Sequence, residues 1–169
     1  MSQTDTLADD VFILTSPDDE RASFLLESLA GHYEDLYGEE FGEAATSEIT
    51  RYPASRFMPP DGAFILLQRG GLTICGGDFK RRGDDGTAEI KRVWTHPDYL
   101  RQGLARRLML RLEAQASRQG YARLYLTTGY LQKPAMQLYL NAGYRPLFDS
   151  AADPHALVLM PFEKNIGPD

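Results

Sequence analysis

The run from Thr87 to Thr127 constrains the fold more than any other part of the chain. An extended segment, Thr87 to Thr95, enters a proline turn at His96-Pro97, and a basic, glycine-containing bend follows from Leu100 to Arg107. A helix is predicted from about Gly103 to Ser117. Leu104, Leu108 and Leu112 form its apolar stripe, and Ala105, Met109 and Ala116 widen it. Gly120 is a stop signal, and Arg123 to Thr127 reads as the next strand. Two strands joined through a helix of this length imply parallel pairing.

The bend has chemistry of its own. The first turn of a helix carries unpaired N–H donors and the positive end of the helix dipole, which suits a phosphate or pyrophosphate. Arg101, Arg106 and Arg107 put cations where the dipole disfavours them, and a bound polyanion would offset that cost. Gly103 and Ala105 are small where a phosphate must approach backbone. On the local pattern alone, a plain helix start is the competing reading.

Upstream, Val11 to Thr15 is a short strand, and Ser16 or Asp18 beside Pro17 can cap a helix. Phe24, Leu25, Leu29, His32 and Leu36 recur at helical spacing, with a kink expected at Gly31 and an end by Gly38. Between Glu39 and Asp61 a short helix around Glu43 to Thr50 is expected, then an extended, proline-rich stretch. Such a connection either shapes a substrate entrance or simply covers the core. Gly62 to Gln68, Leu72 to Lys80 and Thr87 to Thr95 form an antiparallel meander, turning at Gly70-Gly71 and at Gly83 to Gly86. Gly76 and Gly77 predict a bulge or a close backbone approach. A helix over Pro134 to Asn141 and strands over Tyr144 to Phe148 and Ala156 to Phe162 complete the order β, α, βββ, α, β, α, ββ. The expected fold class is α/β, with a mixed, mostly antiparallel sheet flanked by helices.

Size and composition fit one domain over residues 1–169, with residues 1–10 as a polar, flexible tail. The chain has 169 residues, 43% of them hydrophobic, enough for a core without staples. One cysteine, Cys75, excludes an internal disulfide, and His32, His96 and His155 lack metal-ligand spacing, so no metal is expected. A net charge of −6 argues against nucleic-acid binding and favours a cationic small molecule. Neither a secretory signal nor a membrane span is present in the pattern, so a cytoplasmic protein is the expectation. A homodimer is compatible with everything above.

Leu100 to Arg106 resembles the acyl-CoA pyrophosphate loop of the GNAT superfamily of N-acetyltransferases, whose pattern is Gln/Arg-x-x-Gly-x-Gly/Ala. Gly103 and Ala105 match its small positions, while Leu100 departs from the Gln or Arg at its first. Any side-chain contact made from that position is absent here or supplied by Arg101 or Gln102. A second block, Gln132 to Tyr144, resembles the family's late helix, Ala-x-x-Leu-Tyr-x-x-x-Gly-Phe/Tyr. Ala135, Leu138, Tyr139, Gly143 and Tyr144 match it, and Gln132 stands where an Asn is common. The resemblance spans roughly Gly62 to Phe162, and it implies a GNAT-like acyl-CoA N-acyltransferase fold.

The resemblance also implies a function. Acetyl-CoA would be the co-substrate and a primary amine, of a small molecule in the first instance, the acceptor. Backbone groups at Val93, Trp94 and Thr95 would meet the pantetheine arm. Arg101, Gln102, Gly103, Leu104, Ala105 and Arg106 would hold the pyrophosphate, with Gln132 nearby. Glu89 is the implied base, against a reading as an ion pair with Lys91 or Arg92 on the strand surface. Tyr139 is the implied general acid, against a reading as a core tyrosine. Cys75 is expected to be a buried small hydrophobe rather than a nucleophile. The alternatives are a non-catalytic acyl-CoA-binding regulatory module, a protein N-terminal or lysine acetyltransferase, and an interaction scaffold.

Overall fold

The computed structural model describes residues 9–31, 52–129, 133–148 and 159–167. Strand β1 is Asp10–Thr15. A 3-10 turn, Glu20–Ala22, leads into helix α1, described over residues 23–31. The strands of the meander are β2 Ala63–Arg69, β3 Leu72–Arg82 and β4 Thr87–Thr95. Helix α2 is Leu104–Arg118, β5 is Arg123–Gly129, α3 is Lys133–Asn141, β6 is Arg145–Pro146 and β7 is Leu159–Asn165. They build one seven-stranded sheet in the order β1-β2-β3-β4-β5-β7-β6. Every pairing is antiparallel except β4 with β5, the pair joined through α2.

Both faces of the sheet are covered, which explains why β2 is buried along nearly its whole length. Ala63, Ile65 and Leu67 point to the larger core, where α2 contributes Leu104, Leu108, Met109 and Leu112. Phe64 and Leu66 point to a smaller core with Leu25 and Leu29 of α1, Phe57 and Trp94. The two β3 glycines are sites of close approach. A Cβ on Gly76 would lie 2.5 Å from Leu25 Cδ1, and one on Gly77 would lie 2.5 Å from the Arg92 carbonyl oxygen. Gly70 and Gly71 both have positive φ, as the tight β2–β3 hairpin demands.

Several expectations need correction. Asp19 caps the first helical turn, its side chain accepting from Arg21 N–H, whereas Ser16 Oγ accepts from Asp18 N–H in the turn before. Phe24 is 51% exposed; it leaves the apolar stripe to rest edge-on against Trp94. The stretch expected to be extended contains a 3-10 turn, Ala54–Phe57. The strand expected over Tyr144 to Phe148 shrinks to Arg145–Pro146; Leu147 N–H still donates to the Pro161 carbonyl at 2.9 Å, but Pro161 has no N–H to return the bond. The last strand, described over Leu159–Asn165, runs past its expected end at Phe162. His32, Leu36, the expected Glu43 to Thr50 helix, His155 and residues 156–158 lie outside the described residues.

Candidate active site

The sheet is continuous except at one junction. β4 and β5 are laddered from Thr87–Arg123 to Ile90–Leu126. Beyond that rung β4 continues to Thr95 against β3, and β5 continues to Gly129 against β7. The cause lies in the β3–β4 register. Asp78 pairs with Arg92 and Phe79 with Ile90, so Lys91 is the extra residue of a bulge. A bulge bends its strand and raises the local twist. It also changes which residues face which core. Ala88 and Ile90 face the α2 core, whereas Trp94 faces the α1 core and Val93 packs on the α2 side.

Glu89 sits one rung before the split. Its carboxylate lies 3.6 Å from Lys80 Nζ and 3.5 Å from Lys91 Nζ, with its side chain 13% exposed. The ion pair with Lys91 is as the two-residue spacing implies, and Lys80, directly across the ladder, adds a second partner. The Tyr52 ring covers this group, 4.6 Å from Lys80 Nζ and 5.8 Å from Lys91 Nζ. Tyr52 packs on the α1 core, so Glu89 belongs to that face of the sheet.

Beside it lies a pair that the sequence reading did not single out. Asp78 is fully buried, and its Oδ2 accepts from Arg92 Nη1–H at 2.9 Å. The Arg92 guanidinium stacks 4.7 Å from the Phe57 ring centroid. Burial pushes the Asp78 carboxyl up to about 7 against the opposing pull of the Arg92 charge. The signal available in the sequence was an Asp inside an otherwise apolar strand, Ile74 to Phe79.

On the other face, α2 opens as the bend predicted. Gly103 is its N-cap in the left-handed region at φ 74°, and no side chain caps the helix. Arg101 also has positive φ, at 64°, a costly conformation for a residue with a Cβ. The first helical bond runs from Arg107 N–H to the Gly103 carbonyl, so the amides of Leu104, Ala105 and Arg106 precede the helical ladder. An uncapped helix start entered through two left-handed residues fits a pyrophosphate.

The arginines divide. Arg106 Nη1–H donates to the Asn141 carbonyl at the end of α3, at 2.7 Å, which draws the two helices together. Arg107 turns away from the bend onto Asp10, 2.8 Å away, and this corrects its expected place beside a phosphate. Gln102 accepts from Arg69 at 3.1 Å. Gln132 lies outside the described residues.

Tyr139 is 7% exposed on α3, in the larger core, with ring centroids 6.0 Å from those of Tyr144 and Phe162. It and Glu89 therefore belong to opposite faces of the sheet. Thr95 Oγ1 lies 3.7 Å from Cys75 Sγ, and burial pushes that thiol up to about 11, which leaves it inert as a nucleophile. His96 is half-buried. Its Nδ1 accepts from Asp98 N–H, and its ring meets Phe24, Trp94 and Tyr99. Among the described residues no cluster of His, Cys, Asp or Glu could hold a metal, and no helix is long and apolar enough to cross a membrane.

Comparison with known proteins defines the class. Residues 26–144 match the sequence model of the acetyltransferase (GNAT) family, and the chain belongs to that family. It is an acyl-CoA-dependent N-acetyltransferase. An "IAA acetyltransferase" of Azospirillum brasilense is 28% identical over 120 residues, covering 71% of this chain and 74% of the relative. A GNAT-family acetyltransferase structure from Staphylococcus aureus Mu50 superposes with TM-score 0.72 at 13% identity, over 93% of this chain and 99% of that one. The PaiA N-acetyltransferase of Thermoplasma acidophilum, solved with coenzyme A, gives TM-score 0.66 at 18% identity over 92% and 98%.

Proposed function

We propose that this chain transfers the acetyl group of acetyl-CoA to the primary amine of a small molecule, with both substrates bound together and no acyl-enzyme. The observation that carries the reading is the end of the β4–β5 ladder at Ile90, where the Lys91 bulge begins. That split lies between an uncapped helix start on one face and the half-buried Glu89 carboxylate on the other. Acetyl-CoA, when bound, supplies a thioester carbonyl open to attack.

The chain's own groups do the rest. Backbone N–H groups from Arg101 to Arg106 hold the pyrophosphate, flanked by the Arg101 and Arg106 cations and by Gln102. The β4 edge at Val93, Trp94 and Thr95 aligns the pantetheine arm, and one N–H there polarises the thioester carbonyl. Such a donor is worth about 2.7–4 kcal/mol in enzymes where it has been removed. Glu89 accepts the proton that the ammonium of the acceptor must lose, directly or through water. Tyr139 donates its phenolic proton to the departing thiolate. Lys80 and Lys91 beside Glu89 disfavour a polycationic acceptor and favour a molecule with a single amine.

A Tyr139→Phe variant tests the assignment. It should keep its acetyl-CoA-induced thermal shift while turnover falls about 10²–10⁴-fold. Unchanged turnover across pH would remove the acid role. Thiol release measured with amino acids, polyamines, aminoglycosides and peptides separates transfer from simple cofactor binding. A thermal shift with no thiol release for any amine would favour the binding-module reading.

A further inference from the structure

The acyl-CoA bend is fastened from behind by a residue far from it in sequence. The Asp10 side chain is 2% exposed and accepts from two arginines on two different elements. Its Oδ1 takes Arg69 Nε–H at 2.6 Å, and its Oδ2 takes Arg69 Nη2–H at 3.0 Å and Arg107 Nη1–H at 2.8 Å. Arg107 lies in the first turn of α2. The remaining arm of Arg69 reaches the bend itself, Nη1–H donating to Gln102 Oε1 at 3.1 Å. The same guanidinium lies 5.8 Å from the Tyr99 ring centroid, in the short turn after β4. Tyr99 in turn meets His96 edge-on at 5.3 Å.

We infer that Asp10 is a positioning residue for acyl-CoA binding, one carboxylate that locks the bend, the first turn of α2 and the turn after β4 into a single rigid frame. The inference rests on the acyl-CoA reading of that bend. A planar guanidinium gripped on two edges has little freedom, so Gln102 inherits a fixed position from Asp10. The frame also withdraws Arg69 and Arg107 from the phosphate side and leaves that side to Arg101 and Arg106. The left-handed Arg101 is held in a conformation a residue with a Cβ rarely visits, and such strain persists only where the surroundings over-determine it.

The test compares Asp10→Asn and Arg69→Lys with Asp61→Asn, which breaks an exposed pair with Arg81 elsewhere. Calorimetric titration with acetyl-CoA should give a dissociation constant raised about tenfold in the first two, the equivalent of one charge-assisted hydrogen bond. KM for acetyl-CoA should rise in step, with kcat within about twofold of the native value, as for a loss of uniform binding. Amide exchange at residues 100–106, measured without ligand, should quicken in both variants and stay native in Asp61→Asn. If Asp10→Asn does not fold, Arg69→Lys carries the same expectations. A lowered melting temperature with unchanged acetyl-CoA affinity and unchanged exchange at the bend would overturn the inference. Native protein that fails to bind acetyl-CoA, yet shows the exchange difference, would instead sink the cofactor reading and leave the frame standing.

Discussion

Two buried aspartates give opposite pH signatures because one is desolvated more than it is paired and the other is paired more than it is desolvated. Asp78 titrates near 7 in the fold and from 3.8 in its ordinary state. The folded chain thus holds a proton across that window which the unfolded chain has lost, and the Asp78 contribution to stability falls as pH rises from about 4 to 7. Urea denaturation of native and Asp78→Asn protein at pH 5 and pH 8 should show the native advantage shrinking with pH. A pH-independent difference would rule out this titration. Hydrogen bonds from Arg69, then from Arg107, hold the Asp10 carboxyl down at about 2. That stability, ~2 kcal/mol, is present above about pH 4 and is lost as pH falls through that range towards 2. Acid denaturation of Asp10→Asn should lack this component. Asp78 showed in the sequence only as a charge inside an apolar strand and Asp10 not at all, because what distinguishes them is partners 14 and 59 positions away. Glu89 and Tyr139 could be singled out as candidates because they sit inside local patterns that carry their own context.

At the scale of elements, the pieces read most accurately were those with a strong period and a clear boundary residue. The expected helix over Gly103 to Ser117 became Leu104–Arg118, with its leucine stripe wholly buried. Leu108 is fully buried between α2 and the sheet, and Leu108→Ala should cost ~2–5 kcal/mol in chemical denaturation. Gly103→Ala separates conformation from space. No atom lies within 4 Å of the added Cβ, yet φ is +74°. The substitution should destabilise by about 1–2 kcal/mol through backbone strain alone. A neutral effect on melting would mean that the bend relaxes. Pairing, by contrast, was legible in outline only. The bulge at Lys91 depends on the offset between two strands, and nothing in the string Glu89 to Val93 marks which residue the ladder will skip. Pro161, opposite Leu147, could have warned that the sixth strand would be short, since a proline cannot donate to a ladder.

For the whole molecule, element order was enough to reach the architecture. A helix between two strands required one parallel pair, and the meander and terminal strands supplied antiparallel neighbours. The proposed site draws on both faces of the sheet, and that is why order alone could not assemble it. Glu89 and Tyr139 lie in different layers that a linear reading does not connect. If the assembled site takes acetyl-CoA, ligand at about 100 times its dissociation constant should raise folding stability by about 2.7 kcal/mol. A flat melting temperature across that range would count against cofactor binding by the isolated chain.

The short ladder between β4 and β5 also has a mechanical meaning. Four rungs join the plate β1-β2-β3-β4 to the plate β5-β7-β6, with α2 lying across the larger core beneath. Such a joint is laddered at one end and unladdered at the other. A chain-like ligand bound along the unladdered end would act as a strut, bracing the two halves of the sheet against one another beyond Ile90 and Leu126. Affinity for the cofactor and stiffness of the sheet would then be one property, and damping of motion across the joint would report occupancy without any chemistry taking place.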